Sequence, residues 1–263
     1  MRAIRLAPRT GLTLAVAGAA TLVAFAWPLF AAPAGTLAQS DLAPLVFAAI
    51  LPLLAAVVLA ELTSDGLDAK AVAMLGVLSA LGAVLRPLGA GTGGVDLVFF
   101  MIVLGGRVFG PGFGFVLGST TLFVSALITA GVGPWLPYQM LGAAWVGLGA
   151  GLLPAWRGRR ELVLLAVYGA LASVVFGLLM NMSFWPFAVG TDTTLSFVPG
   201  DPLVANLTRF GLFSAVTSLG WEVGRAVTTV VMIALFGGIV LRSLRRVSAR
   251  AAFDSPPVFQ SEM

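Results

Sequence analysis

Apolar positions in this chain run in eight blocks separated by short polar islands: 11–31, 43–62, 70–88, 95–108, 110–130, 138–154, 161–187 and 219–241. A helix that crosses the hydrocarbon core of a bilayer needs about 20 apolar residues. The pattern therefore predicts about eight transmembrane helices. The fourth and sixth blocks are short and fit tilted or partly re-entrant helices. The most informative stretch is 105–153, where two apolar runs rich in glycine flank the island GVGPWLPYQM. It predicts a tight membrane hairpin. Its turn carries Trp135, Tyr138 and Gln139, side chains that a mere spacer does not need.

Composition agrees with this pattern. Of 263 residues 59% are apolar and only 10% charged, with a mean hydropathy of +1.03. Soluble domains carry about 25% charged residues. The fold class expected is thus an all-α integral membrane protein. Cysteine and histidine are both absent. That removes disulfides, thiolate chemistry, and the commonest general base and metal ligand. No metal site and no cofactor is expected. The pI near 10.6 does not point to nucleic acid, because the basic residues sit at the edges of the apolar blocks, as topology signals do. Alternate loops hold Arg2, Arg5, Arg9, Lys70, Arg107, Arg157, Arg159, Arg160, Arg242, Arg245, Arg246 and Arg250. By the positive-inside rule both termini are expected to be cytoplasmic, in a multi-pass protein of the cell membrane.

Three segments qualify the eight-block pattern. Arg2, Arg5 and Arg9 followed by an apolar run resemble a signal peptide, but the run 11–32 exceeds the usual 7–15-residue core and favours an uncleaved helix. Residues 188–218 are the longest non-spanning stretch. Their second part, LVANLTRFGLFSAVTSLG, is mildly amphipathic and fits either a surface helix or an outward extension of the last span. The tail from 242 onward is basic and then, with Pro256 and Pro257, expected to be disordered.

Two further patterns bear on function. In the third block Ala69, Ala73, Gly76, Ala80 and Ala83 recur at spacings of four and three, which puts them on one helix face. Small residues so spaced let a second helix approach closely, within the chain or from a partner. The second pattern is a convergence of polar groups at the ends expected to face outward. Arg86 and Asp96 flank the loop after the third block, Asn181 and Trp185 lie late in the seventh, and Trp221, Glu222 and Arg225 open the eighth. With Trp135, Tyr138 and Gln139 they resemble a pocket of aromatic walls and a few polar fixings. Each has a plainer role as well. Tryptophan and tyrosine anchor at interfaces, Glu222 and Arg225 at i,i+3 are placed to neutralise each other, Arg86 can snorkel, and Asp96 can cap the fourth span.

Residues LGGRVFGPGFGFVLG, followed by GVGPWLPYQMLGAAWVGLGAGLL, resemble the substrate-binding membrane subunit (S component) of energy-coupling factor (ECF) transporters. The resemblance is densest over this hairpin and extends across 66–241. It implies a six-helix substrate-binding core at 66–241, preceded at 1–65 by two extra N-terminal transmembrane helices and followed by the tail 242–263. It implies a vitamin-like small-molecule solute bound near the outer face. Arg86, Trp135, Gln139, Asn181 and Glu222 match that region, though no fixed ligand motif; with Asp96, Tyr138, Trp185 and Arg225 from the polar convergence they make up the candidate substrate-binding set. It also implies partners, a transmembrane T subunit and two ATPase subunits, with Ala69, Ala73, Gly76 and Ala80 on the docking face. The chain has no phosphate-binding loop of its own. A stand-alone secondary transporter is the alternative. A membrane enzyme or assembly factor acting on lipids is a further one, though its chemistry would rest on Glu222, Asp96 or the arginines alone.

Overall fold

The computed structural model describes residues 25–30, 69–89, 92–188 and 193–251. The expected second span, most of the first, and the tail beyond Ala251 lie outside the described residues. Apart from a 3-10 turn at Trp27–Phe30, the regular structure described is seven helices. These are α1 (Ala69–Leu88), α2 (Val98–Phe109), α3 (Pro111–Ile128), α4 (Leu136–Leu152), α5 (Arg159–Ala188), α6 (Leu203–Thr217) and α7. The last is continuous from Leu219–Met232 through a π-helical turn at Ile233–Gly237 into Gly238–Ala251. Helices α1, α3, α5 and α7 are long and apolar enough to cross a membrane.

The chain departs from the expected boundaries at three places. Helix α2 has 12 residues, about 18 Å of rise, well short of a bilayer core. Residues 203–217 form a separate helix with mostly exposed side chains, not a straight extension of α7, because the backbone bends at Ser218 (φ −134°) before α7 starts. Helix α7 does not stop at 241; it runs on through the arginines to Ala251. The boundary expected between the blocks 95–108 and 110–130 is present: Gly105–Phe109 close α2, which joins α3 through one residue, Gly110. Its φ of 105° and ψ of 174° are accessible only to glycine. Pro111 at the first position of α3 needs no hydrogen-bond donor there.

Helices α3 and α4 meet along a seam of glycines. A Cβ on Gly114 would run into the backbone of Gly147, one on Gly147 into Gly114, one on Gly118 into Ala143, and one on Gly151 into the Gly110–Pro111 link. Gly106 of α2 presses on Gly147 in the same way. Three backbones therefore touch with no side chain between them, and Phe109, Phe113 and Phe115 fill the space to either side. Helix α1 packs on α3, with Ser79 hydrogen-bonded to Thr120 at 2.7 Å and Thr121 over Gly82. Helix α5 packs on α4, where Tyr168 donates to the Val146 carbonyl at 2.7 Å. Helix α7 then lies on α5, with Thr229 over Gly169 and Glu222 over Gly177.

The outward faces are apolar. Val163, Val167, Leu171 and Val175 of α5 are exposed, as are Val223, Val227, Val231 and Leu235 of α7. Their four-residue spacing makes one stripe per helix, a surface suited to lipid. At the arginine-rich end a buried triad ties the bundle. One Glu161 oxygen accepts from Arg107 at 2.6 Å and from Arg245 at 2.5 Å. Arg107 also donates to the carbonyls of Leu153 and Trp156, each at 3.0 Å, which satisfies the end of α4.

The seam makes a sharp prediction. Gly114→Ala or Gly147→Ala sets a methyl against backbone that has no rotamer to yield, at a cost of about 1–3 kcal/mol or more. Gly76→Ala enters open space and should be neutral or stabilising by up to about 1 kcal/mol. Thermal unfolding midpoints of the purified variants in detergent should fall clearly for the first pair and hold for the third.

Candidate functional site

The ends of five helices and one loop meet at the end opposite the triad. Arg86, in the last turn of α1, donates to Gln139 Oε1 at 3.0 Å in the first turn of α4, and reaches Ser125 of α3 at 3.5 Å. The loop after α1 returns to the bundle through Asp96, which accepts at 3.2 Å from the amide of Val98, the first residue of α2. Its other oxygen lies 3.6 Å from Nε of Arg225 on α7. Arg225 in turn donates to the Ser173 carbonyl of α5 at 3.2 Å. Its guanidinium sits 5.4 Å from the Phe99 ring centroid and 5.1 Å from that of Phe176, within cation–π range. The two rings meet edge to face at 5.0 Å. Arg86 and Arg225 both lie within the field of Asp96. Two glycines let the loop sit this close, Gly94 on the Trp221 backbone and Gly224 on that of Gly93.

A second polar node lies beside the first, at the bend between α6 and α7. Asn181 Nδ2 faces Ser214 Oγ and Glu222 Oε1, each at 3.2 Å, and also Ser218 Oγ. Ser218 donates to the same Glu222 oxygen at 3.0 Å. Glu222 is only 2% exposed. Its carboxylate is held by neutral donors, with Arg225 one helical turn along. The i,i+3 pairing expected between Glu222 and Arg225 is therefore replaced by two separate sets of contacts, because Arg225 turns to Asp96 and the two phenylalanines.

Six of the nine site residues read from the sequence thus come together: Arg86, Asp96, Gln139, Asn181, Glu222 and Arg225. The three aromatics do other things. Trp135 is 54% exposed and its indole donates to the Gly131 carbonyl at 3.3 Å, an arrangement that fits an interfacial anchor. Tyr138 is buried, its ring edge to face with Phe25 at 5.0 Å. Trp185 is fully buried, donates to the Leu195 carbonyl at 2.6 Å, and packs on Phe197 and Phe210. It pins the 193–202 loop and α6 to the bundle. Conversely, Phe99, Phe176, Ser125, Ser173, Ser214 and Ser218 belong to the cluster and were not expected. An apolar span full of Phe and Ser gives no signal that singles them out. Among the described residues no group of three or more Asp, Glu, His or Cys is placed to hold a metal.

On α1 the small-residue stripe divides. Ala69, Ala73, Gly76 and Ala80 are exposed, together with Val72, Val77, Leu81 and Val84, whereas Ala83 is buried against the bundle. The exposed four leave a shallow apolar face with no side chain over Gly76.

Residues 70–198 match the family model described as ECF transporter, substrate-specific component. That span runs from the start of α1 through the loop after α5 and includes seven of the site positions named above. No curated protein and no solved structure matches the chain.

Burial pushes the Asp96 carboxyl up from the ordinary aspartate value, and the nearby Arg225 offsets this only in part. A carboxyl whose pKa is raised in the folded state binds its proton more tightly there than when unfolded. Its contribution to stability therefore grows as pH falls through the window above the ordinary value of about 3.9. Between about pH 7 and about pH 4, the unfolding midpoint of the wild type should gain on that of Asp96→Asn; parallel curves would refute this. Asn181→Leu removes the amide shared by three oxygens and should cost about 1–3 kcal/mol, measured by the same unfolding assay.

Proposed function

We propose, for a chain that over residues 70–198 belongs to the ECF transporter substrate-specific components, that it captures a vitamin-like solute at the Arg86–Asp96–Arg225 end. It then delivers that solute through a separate T subunit driven by two ATPase subunits. The family consists of transport components rather than enzymes, and the protein is a multi-pass membrane protein. The match over 70–198 is the observation that carries the reading.

Several features support the finer assignments. Two arginines, one carboxylate, an amide side chain and two phenylalanine rings meet at one end, a set suited to an anionic, ring-bearing solute. The arginine-rich opposite end fits a cytoplasmic placement of both termini. On this reading α1 to α5 and α7 supply the six-helix core of 66–241. Residues 1–65 add two further spans, which brings the total to about eight. Phe25 packed against Tyr138 supports retention of the first of these. The exposed face of Ala69, Ala73, Gly76 and Ala80 suits close docking by a helix of the T subunit.

Isolated protein should retain a small molecule, identifiable by native mass spectrometry, and Arg86→Ala or Gln139→Ala should weaken its binding at least about tenfold, as loss of a charge-assisted contact implies. Ala73→Trp or Gly76→Trp should abolish uptake in cells while leaving binding intact. Uptake that survives without ATPase partners and collapses with an uncoupler would instead identify a secondary transporter, for which the buried Glu222 would be the coupling candidate.

A further inference from the structure

We propose that the arginine-rich end carries a binding site for anionic phospholipid headgroups, built jointly by residues 156–160 and the last turns of α7. Arg157, Arg159, Arg160, Arg242 and Arg246 are all exposed. None of them forms an ion pair among the described residues. The acid described at this end, Glu161, is already shared by Arg107 and Arg245. The triad therefore does two things at once. It consumes the local negative charge, and it draws two basic segments that are far apart in sequence against each other. Leu162, next to Glu161, packs over Gly237 and Gly238 of α7, which extends the same contact along the helix.

Five exposed guanidinium groups without an ion-pair partner among the described residues make this end a strongly positive rim. Such a rim attracts a counter-anion, and a guanidinium fork matches phosphate oxygens in geometry as well as charge. The surroundings say where that phosphate comes from. Directly toward the membrane lie exposed apolar side chains, Leu152, Val163, Leu235 and Ile239, with the half-exposed Trp156 at the boundary. A tryptophan between a lipid-facing surface and a basic rim marks headgroup depth. Helix α7 carries its arginines to that depth because it is continuous over Leu219–Ala249, 31 residues that rise about 46 Å, more than the hydrocarbon core requires. A lipid phosphate at this rim satisfies charge and apolar surface together, which an acidic protein face would not.

The test uses the full-length chain in mixed bilayer discs of phosphatidylglycerol and phosphatidylcholine in equal amounts. Native mass spectrometry of the released protein should find phosphatidylglycerol preferentially retained. The variant R157Q/R160Q/R242Q/R246Q leaves the triad intact and should lose at least about tenfold of that preference, since each basic group near an anionic surface changes partitioning about fivefold. Equal retention of the two lipids by the wild type overturns the proposal whatever the variant does, and leaves an acidic protein surface as the partner. Inorganic phosphate, added at the same phosphate concentration, should not raise the unfolding midpoint as phosphatidylglycerol does. An equal rise would overturn the lipid assignment in favour of a free anion. Because none of these readouts involves solute or uptake, the result is independent of the transport reading.

Discussion

The arrangement depends on one contact, the backbone-to-backbone approach of α2, α3 and α4 at Gly106, Gly114 and Gly147. In lipid, helices gain little from hiding apolar side chains, because the tails outside are just as apolar. What remains is dispersion at short range, which grows as backbones come closer, and weak Cα–H···O contacts. Glycine permits both. The seam then fixes the rest by geometry. With α4 held against α3, Gln139 at its first turn comes under Arg86 of α1, and its last turn comes within reach of Arg107.

Much of this was legible in the chain, and the parts that were not share a cause. Four long spans and the density of the 105–153 stretch follow from apolar length and glycine spacing. Those are one-dimensional quantities, and a sequence carries them in full. The break at Gly110 was legible as the boundary between the apolar blocks 95–108 and 110–130; that this glycine turns the chain through a positive φ was not, since a single glycine in a glycine-rich run looks like its neighbours. The helix at 203–217 was only half legible: its amphipathic pattern left a surface helix and an extension of the last span both open, and two of its polar residues turn inward. Asn206 bonds back to both backbone groups of Val198, and Ser214 joins the Asn181 node. Internal satisfaction of this kind cannot be told from a solvent face in the sequence alone.

The site itself was legible through cost. An ionisable residue at mid-membrane carries a penalty of about 2.5–3.5 kcal/mol on insertion scales, so each of Arg86, Glu222 and Arg225 demanded an explanation. That reasoning picked out charged residues that the fold brings together at one end, and it had no hold on the aromatics. Trp135, Tyr138 and Trp185 carry no such penalty, and a ring in an apolar span is as useful for packing as for recognition. Meanwhile Phe99 and Phe176, which do touch Arg225, were indistinguishable from the other 16 phenylalanines of the chain.

Glu222 and Arg225 show how charges can share a helix turn without cancelling each other. Direct pairing would neutralise both and leave a closed, inert spot. Instead Arg225 leans toward Asp96 at 3.6 Å, beyond hydrogen-bond distance, and Glu222 rests on Asn181 and Ser218. A contact of that length between partly buried groups is weak enough to exchange. On the proposed reading an incoming carboxylate or phosphate could compete with Asp96 for Arg225, whose contacts to the Phe99 and Phe176 rings and the Ser173 carbonyl do not involve Asp96. At the other end the triad is short, two-sided and buried, and breaking it would strand Glu161 in the bundle. On the proposed reading the loose pair lies where a solute would enter and leave, and the tight one lies where the helices stay fixed.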